Sequence, residues 1–140
     1  MRYVLDTDVV VAAMRSPRGA SAAILLAAAD RLVTLLASIP LVIEYEATCD
    51  RPEHRMAAEL SERQVGAFLD GVVALADPVE SHFLWRPKLR DPADEMVLEA
   101  AVNGRADAIV TFNVRDYGTA PAEFGVQVLK PRDALWRIRS

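Results

Sequence analysis

The sequence is poor in the residues that build covalent or soft-metal frameworks. A single cysteine, Cys49, stands in 140 residues. It has no partner for an internal disulfide, which excludes a disulfide-stapled scaffold and suits a reducing cytoplasm. Only two histidines occur, His54 and His82, far apart in the chain. With a single cysteine besides, they exclude a zinc site of the Cys/His kind. Long apolar runs are also missing. The longest, Ala22 to Ala29, is closed by Asp30 and Arg31, well short of the about 20 residues that span a bilayer. No membrane segment and no signal-peptide pattern are expected, so the location expected is cytoplasmic. Basic charge is scarce as well: 16 Lys and Arg face 20 Asp and Glu, for a net charge of −4. A protein that grips nucleic acid through its overall field should be basic. Any such role here has to come from a local site.

What is present suits one folded domain over residues 1–140. Hydrophobic residues make up 52% and charged residues 26%, enough for a core and too apolar for a disordered tail. Arg2 to Asp6, with the β-branched Val9 to Val11 beyond, reads as a buried strand ending at Asp6. Ser16-Pro-Arg-Gly19 is a turn, and Ala20 to Ala29 an Ala/Leu-rich helix. Arg31 to Ala37 is a second strand. Ser38-Ile-Pro40 then opens a helix that carries Glu44 and Glu46 and stops near Asp50-Arg-Pro52. Glu53 to Leu60 is a short helix. Ser61-Glu-Arg-Gln64 is a capping box before an apolar stripe of Val65, Phe68, Leu69, Val72 and Val73. Asp77-Pro78 breaks that helix, Val79 to Leu84 is a candidate strand, and Trp85 to Arg90 a basic loop. Asp91-Pro-Ala-Asp94 starts a helix that ends at Asn103-Gly104. Asp107 to Phe112 and Gly125 to Leu129 are strands, and Pro131 to Ile138 a last helix. This alternation predicts an α/β fold, a three-layer α/β/α sandwich with a mainly parallel central sheet. Sites in such sheets form beyond the carboxyl ends of the strands.

Acidic side chains fall at those ends. Asp6 closes the first strand, Glu44 lies about one turn into the helix after the second, and Asp94 lies in the first turn of its helix. Thr111, Asn113 and Asp116 follow the next strand; Asp8 and Asp91 are close neighbours in sequence. Carboxylates gathered in one cleft repel one another and lose hydration, so they persist only when a cation or protons neutralise them. Mg²⁺ and Mn²⁺ take such oxygen ligands and retain water, which they acidify. The pattern points to metal-assisted phosphodiester hydrolysis. Each acid also has a plainer reading. Asp91 and Asp94 sit where helix caps favour acids, Glu44 where a solvated helix residue would, and Asp116 in a turn. Asp6, at the end of a strongly apolar strand, is the one least easily read that way.

The sequence resembles the PIN domain nucleases (PilT N-terminus-like), especially VapC-like toxins of toxin–antitoxin pairs. The matching pieces are Val4-Leu-Asp-Thr-Asp-Val9, Ser38-Ile-Pro-Leu-Val-Ile-Glu-Tyr45, Leu89-Arg-Asp-Pro-Ala-Asp-Glu-Met-Val-Leu-Glu-Ala-Ala101 and Ala106-Asp-Ala-Ile-Val-Thr-Phe-Asn-Val-Arg-Asp-Tyr117. Their order and spacing fit across nearly the whole chain. The resemblance implies a Mg²⁺- or Mn²⁺-dependent endoribonuclease acting on single-stranded RNA. It carries the family's four acids onto Asp6, Glu44, Asp94 and Asp116, as catalytic residues and metal ligands. Asp8, Asp91, Thr111 and Asn113 then become supporting residues. Asn113 departs from the more acidic version of the motif, and Asp8 replaces an asparagine. The resemblance also implies a cognate antitoxin and a homodimer. Phe68, Leu69, Trp85 and the helix of Ala20 to Ala29 are candidates for apolar contact surface, although helix-spaced apolar residues more often belong to a core. Arg15, Arg18, Arg86, Lys88, Arg90 and Arg115 lie in segments expected near the strand ends and form a candidate RNA-binding rim.

Two rivals stand beside this reading. Asp6-Thr-Asp8-Val-Val10 also looks like the nucleophile motif of haloacid-dehalogenase-type phosphatases, with Asp6 attacking phosphorus and Asp8 as general acid. That family expects a lysine and then an acidic pair after a threonine such as Thr111, whereas Asp94-Glu95 comes before it. The second rival is a catalytically weak or inactive PIN-like interaction module, which Asn113 and the acidic composition favour.

Overall fold

In the computed structural model, residues 1–80 and 88–140 are described. Five strands form one sheet: β1 (Arg2–Leu5), β2 (Thr34–Ala37), β3 (Ala76–Pro78), β4 (Ala108–Val110) and β5 (Gln127–Leu129). They lie in the order β3-β2-β1-β4-β5, and every pairing is parallel. The register sets Val4 beside both Leu36 and Ile109. Helices flank the sheet: α1 (Thr7–Arg15), α2 (Ala20–Ala29), α3 (Ile39–Cys49), α4 (Pro52–Ala58), α5 (Glu62–Leu75), α6 (Pro92–Asn103), α7 (Ala120–Glu123) and α8 (Pro131–Arg139). A 3-10 turn spans Val114–Tyr117. From the central β1 the chain moves outward to β2 and β3, then returns to β4 on β1's other side. The reversal opens a crevice at the carboxyl ends of β1 and β4, where open parallel sheets bind their ligands.

The α/β/α expectation holds, and local differences have physical causes. Val9–Val11 is not strand-like. The Asp6 side chain accepts from the Thr7 amide and caps a helix that starts at once, with Val9, Val10 and Val11 all buried. Burial of three valines outweighs their weak helix preference. α5 continues through Leu75, and β3 is the short segment Ala76–Pro78, paired with β2 by Leu36↔Asp77. Of the strand expected over Val79 to Leu84, residues 79 and 80 are described and neither is in a strand. His82, Trp85 and Arg86 lie outside the described residues. The short α7 carried no sequence signal strong enough to be anticipated.

α6 carries part of the site, and its seating is tight. Val97 and Leu98 are fully buried in the core with Val4 and Ile109; each such side chain contributes about 1.5–3 kcal/mol by leaving water. The helix ends at Gly104, where an added Cβ would stand 2.9 Å from Leu36 Cδ1, Val79 Cγ2 and the Ala100 carbonyl. Only a residue without Cβ fits this close approach without displacing a neighbour. Arg2 donates through Nη2 to the Gly104 carbonyl at 2.8 Å, tying the end of α6 to β1. Cys49 closes α3 as a buried free thiol whose pKa burial pushes up to about 11. No single helix among the described residues is long and apolar enough to cross a membrane.

Candidate active site

Asp6 sits at the centre of the crevice and is buried. β1 ends one residue before it, and its amide donates to the Val110 carbonyl at 2.9 Å, so it is fixed to both central strands. Its Oδ1 accepts from the Thr7 amide at 2.7 Å; its Oδ2 accepts from Thr111 Oγ1 at 2.7 Å and Tyr117 Oη at 3.0 Å. Donors from α1, the end of β4 and the 3-10 turn thus aim one carboxylate. A buried carboxylate is tolerated only with such partners. The backbone beneath is held too: the Tyr45 hydroxyl donates to the Leu5 carbonyl. Burial, then the Asp6 charge, drive the pKa of both tyrosines above its ordinary value, so both remain donors.

Two clefts flank this centre. The first, about 590 Å³, is lined by Asp91, Asp94, Asp116 and Tyr117, with Arg90 and Arg115 on its wall. Asp94 is half-buried at the start of α6, and its pKa is pushed up to about 6. Desolvation is the largest cause, followed by the charges of Asp6, Asp91 and Asp116. Asp91 also caps α6 by accepting from the Ala93 amide at 2.9 Å, so its plainer reading as a cap is realised. Asp116 is exposed on the 3-10 turn. The second cleft, about 550 Å³, is lined by Asp8, Glu44, Arg15 and Phe112 among others. Asp8 Oδ2 accepts from the Phe112 amide at 3.1 Å and Asn113 Nδ2 at 3.0 Å. The two positions that depart from the family motif are therefore joined by a hydrogen bond. Burial and the Asp6 charge push the Asp8 pKa up to about 6, and its Oδ1 is buried without a hydrogen-bond partner. Glu44 accepts from Thr48 Oγ1 at 3.3 Å.

The structure thus gathers Asp6, Asp8, Asp94, Asp116 and Thr111 at one crevice and puts Glu44 in the lining of the second cleft, with Asp8. Lys88 lines the first cleft as expected for the rim, and its Nζ also lies 3.7 Å from Glu123. Some sequence expectations require correction. Arg18 lines neither cleft. Leu69 is buried and Phe68 partly so, both packed in the core, while α2 buries Ile24, Ala27 and Ala28 but leaves Leu26 exposed. The exposed apolar side chains instead include Ile39, Ile43 and Val73, which line a groove of about 970 Å³. The sequence reading did not give Tyr117 or Tyr45 their roles at Asp6. It also overlooked Glu95, whose buried carboxylate accepts from the amides of Lys88 and Leu89 and fixes the approach to α6. The one available signal was polar: a carboxylate at Asp6 requires donors, and tyrosines adjoin both Glu44 and Asp116 in sequence.

The residues suit a hard divalent cation in part. The donor set is oxygen, its charge is not offset by any ion pair to Asp6, Asp8, Asp94 or Asp116 among the described residues, and one oxygen of Asp8 lacks a partner. Yet among the described residues no three His, Cys, Asp or Glu side chains are grouped to hold one ion together. The set as it stands fits an ion that keeps much of its water.

The fold is thus a parallel α/β sheet with a hydroxyl-clamped aspartate at its point of reversal. The model of the PIN domain matches residues 2–115, and the chain belongs to that family. PIN domains are generally nucleases. No curated protein matches the sequence. Among solved structures, a chain of VapBC2 from Rickettsia felis, bound to a DNA fragment from their promoter, superposes with a TM-score of 0.66 at 16% identity. The match covers 93% of this chain and 98% of that one, and at this identity it speaks for the fold alone.

Proposed function

We propose that residues 1–140 form a single PIN domain acting as a Mg²⁺- or Mn²⁺-dependent endoribonuclease on single-stranded RNA. In this reading it is the toxin of a type II toxin–antitoxin pair working in the cytoplasm. The observation that carries the reading is the triple clamp on Asp6 beside Asp94 at the β1–β4 crevice. Asp6, Asp94 and Asp116 would hold the metal, directly or through water, and Glu44 would orient the attacking water. A divalent ion supplies, when bound, a water acidic enough to attack at neutral pH. Thr111 and Tyr117 keep the Asp6 carboxylate aimed, and Arg90 and Arg115 offer donors to a phosphate oxygen. Membership in the PIN family removes the phosphatase reading.

The partner proposal is an antitoxin covering the toxin's apolar surface, together with self-association. Its support is that the matched solved chain comes from a VapBC2 complex, and that Ile39, Ile43 and Val73 stand exposed together. Two observations favour a second reading, a binding module with a weakened site: among the described residues no three candidate ligands converge, and Asn113 departs from the more acidic version of the motif. The deciding experiment is RNA cleavage by purified protein with and without Mn²⁺, beside Asp6→Asn. Metal-dependent cleavage that vanishes in the variant supports the nuclease. Undiminished cleavage in Asp6→Asn refutes the site, and no cleavage together with no Mn²⁺ binding supports the module.

A further inference from the structure

The second cleft holds more than its two acids. Phe112 immediately follows the Thr111 that clamps Asp6, yet its side chain is 48% exposed. The same cleft is lined by three nitrogen-bearing side chains from α1 and the start of α4: Arg15, Arg51 and His54. Neither arginine forms an ion pair among the described residues; the neighbouring Arg55, by contrast, is engaged with Asp50 and Glu62. Arg15 Nη1 lies 3.4 Å from His54 Nδ1. A guanidinium can only donate, so Nδ1 accepts and the neutral ring carries its proton on Nε2. The cleft therefore brings together two guanidinium groups, an imidazole N–H and an exposed ring.

From this juxtaposition we infer that the cleft is a nucleotide subsite: it takes one unpaired nucleotide flanking the cleaved bond, its base stacked on Phe112 and its phosphate held by Arg15, Arg51 and His54. The inference rests on the RNA-cleavage reading above and adds a strand path to it. An exposed aromatic accepts a base face of any sequence, and the cations neutralise backbone charge. A cleft of about 550 Å³ lies within the about 300–1,000 Å³ of small-molecule sites. The carboxylates of Asp8 and Glu44 in the same cleft repel a phosphate, which places the phosphate at the Arg15–His54 pair and the base nearer Phe112. From there the strand crosses Asp6 toward Arg90 and Arg115 in the first cleft. A duplex has no unstacked base to offer, so the subsite selects single strands.

The test pairs protein variants with abasic substrates. Single-stranded RNA is cleaved under steady-state conditions in Mn²⁺ by the wild type, Phe112→Ala, Phe112→Leu and Arg15→Ala. Trp136→Ala serves as a control, an exposed aromatic on α8 that lines neither flanking cleft. Phe112→Ala is expected to raise KM about tenfold, as loss of one stacked base does, with kcat changed less than about twofold. Phe112→Leu falls between, and Trp136→Ala matches the wild type. Removing the base at one position beside the cut raises the wild-type KM similarly but adds nothing in Phe112→Ala. Circular dichroism checks that each variant is folded. A KM for Phe112→Ala within twofold of wild type, or additive effects at every abasic position, overturns the subsite and leaves the nuclease reading standing. If the folded wild type cleaves no RNA, both fall.

Discussion

The clefts on either side of Asp6 carry similar charges in different settings. On the α6 side, Asp94 and Asp116 line an open cleft, and the upward shift of Asp94 comes first from burial and then from three neighbouring carboxylates, Asp6, Asp91 and Asp116. On the α1 side, Asp8 is held by the backbone of Phe112 and the amide of Asn113. Its shift too comes first from burial, but a single carboxylate, Asp6, adds to it, and one of its oxygens is left without a partner. The first arrangement is a set of like charges short of a counter-ion; the second is a largely structural carboxylate with one unused lone-pair face. Asp6 joins them, through Tyr117 on one side and Thr111 on the other. The contrast teaches that acidity in a cleft is not one property. Charge crowding marks where a cation would be gained, while burial with directed donors marks where geometry is kept.

The largest effect that tests this contrast is at the shared centre. Asp6→Asn keeps a capping residue at the start of α1, so circular dichroism should be unchanged while Mn²⁺-dependent RNA cleavage falls below detection. The contrast itself predicts that the two flanking acids differ. Asp94→Asn should lower cleavage by at least about a hundredfold, whereas Asp8→Asn should lower it by about tenfold or less, in line with loss of a supporting residue. Equal losses would erase the distinction between the clefts. Tyr117→Phe removes one clamp donor without removing volume. Activity should fall about 10–100-fold, with stability lowered by about 1.5–3 kcal/mol for a lost bond to a buried charge, as read by urea denaturation.

The smallest effect is a pH dependence. Asp8 and Asp94 have folded-state pKa values raised to about 6, against about 4 in the unfolded chain. The folded state therefore binds these protons more tightly. Their contribution favours folding at low pH, diminishes as pH rises from about 4 to about 6, and is lost above that. In EDTA the melting temperature should fall across this window, and Asp8→Asn should flatten part of the fall. Added Mn²⁺ should raise the melting temperature more at pH 7.5 than at pH 5. A melting temperature that rises between pH 4 and 6 in both proteins would show that other groups dominate.

Much was legible in local sequence because it depended on local physics. The caps at Ser38, Ser61 and Asp91 rest on bonds spanning two or three residues, and all three form. The strand at Val4 and the stop at Gly104 likewise follow from burial and from a missing side chain. Val9 to Val11 misled because a β-branched run is ambiguous until its neighbours decide which face is buried. By its spacing Leu69 suits a core and a contact surface equally, and only packing decides for the core.

Composition and spacing by themselves determined the layered α/β architecture, the acid-rich strand ends and the absence of a Cys/His metal site, because each is a property of residue type and short-range order. Tertiary structure decided which acids meet. Thr111 and Tyr117 reach Asp6 across more than a hundred residues, and Asn113 finds Asp8 across a similar span. That Phe112 lines one cleft with Arg15 and His54 likewise depends on the fold. Such contacts arise when β4 docks beside β1 and brings its carboxyl end to the same crevice, a juxtaposition that no local propensity encodes.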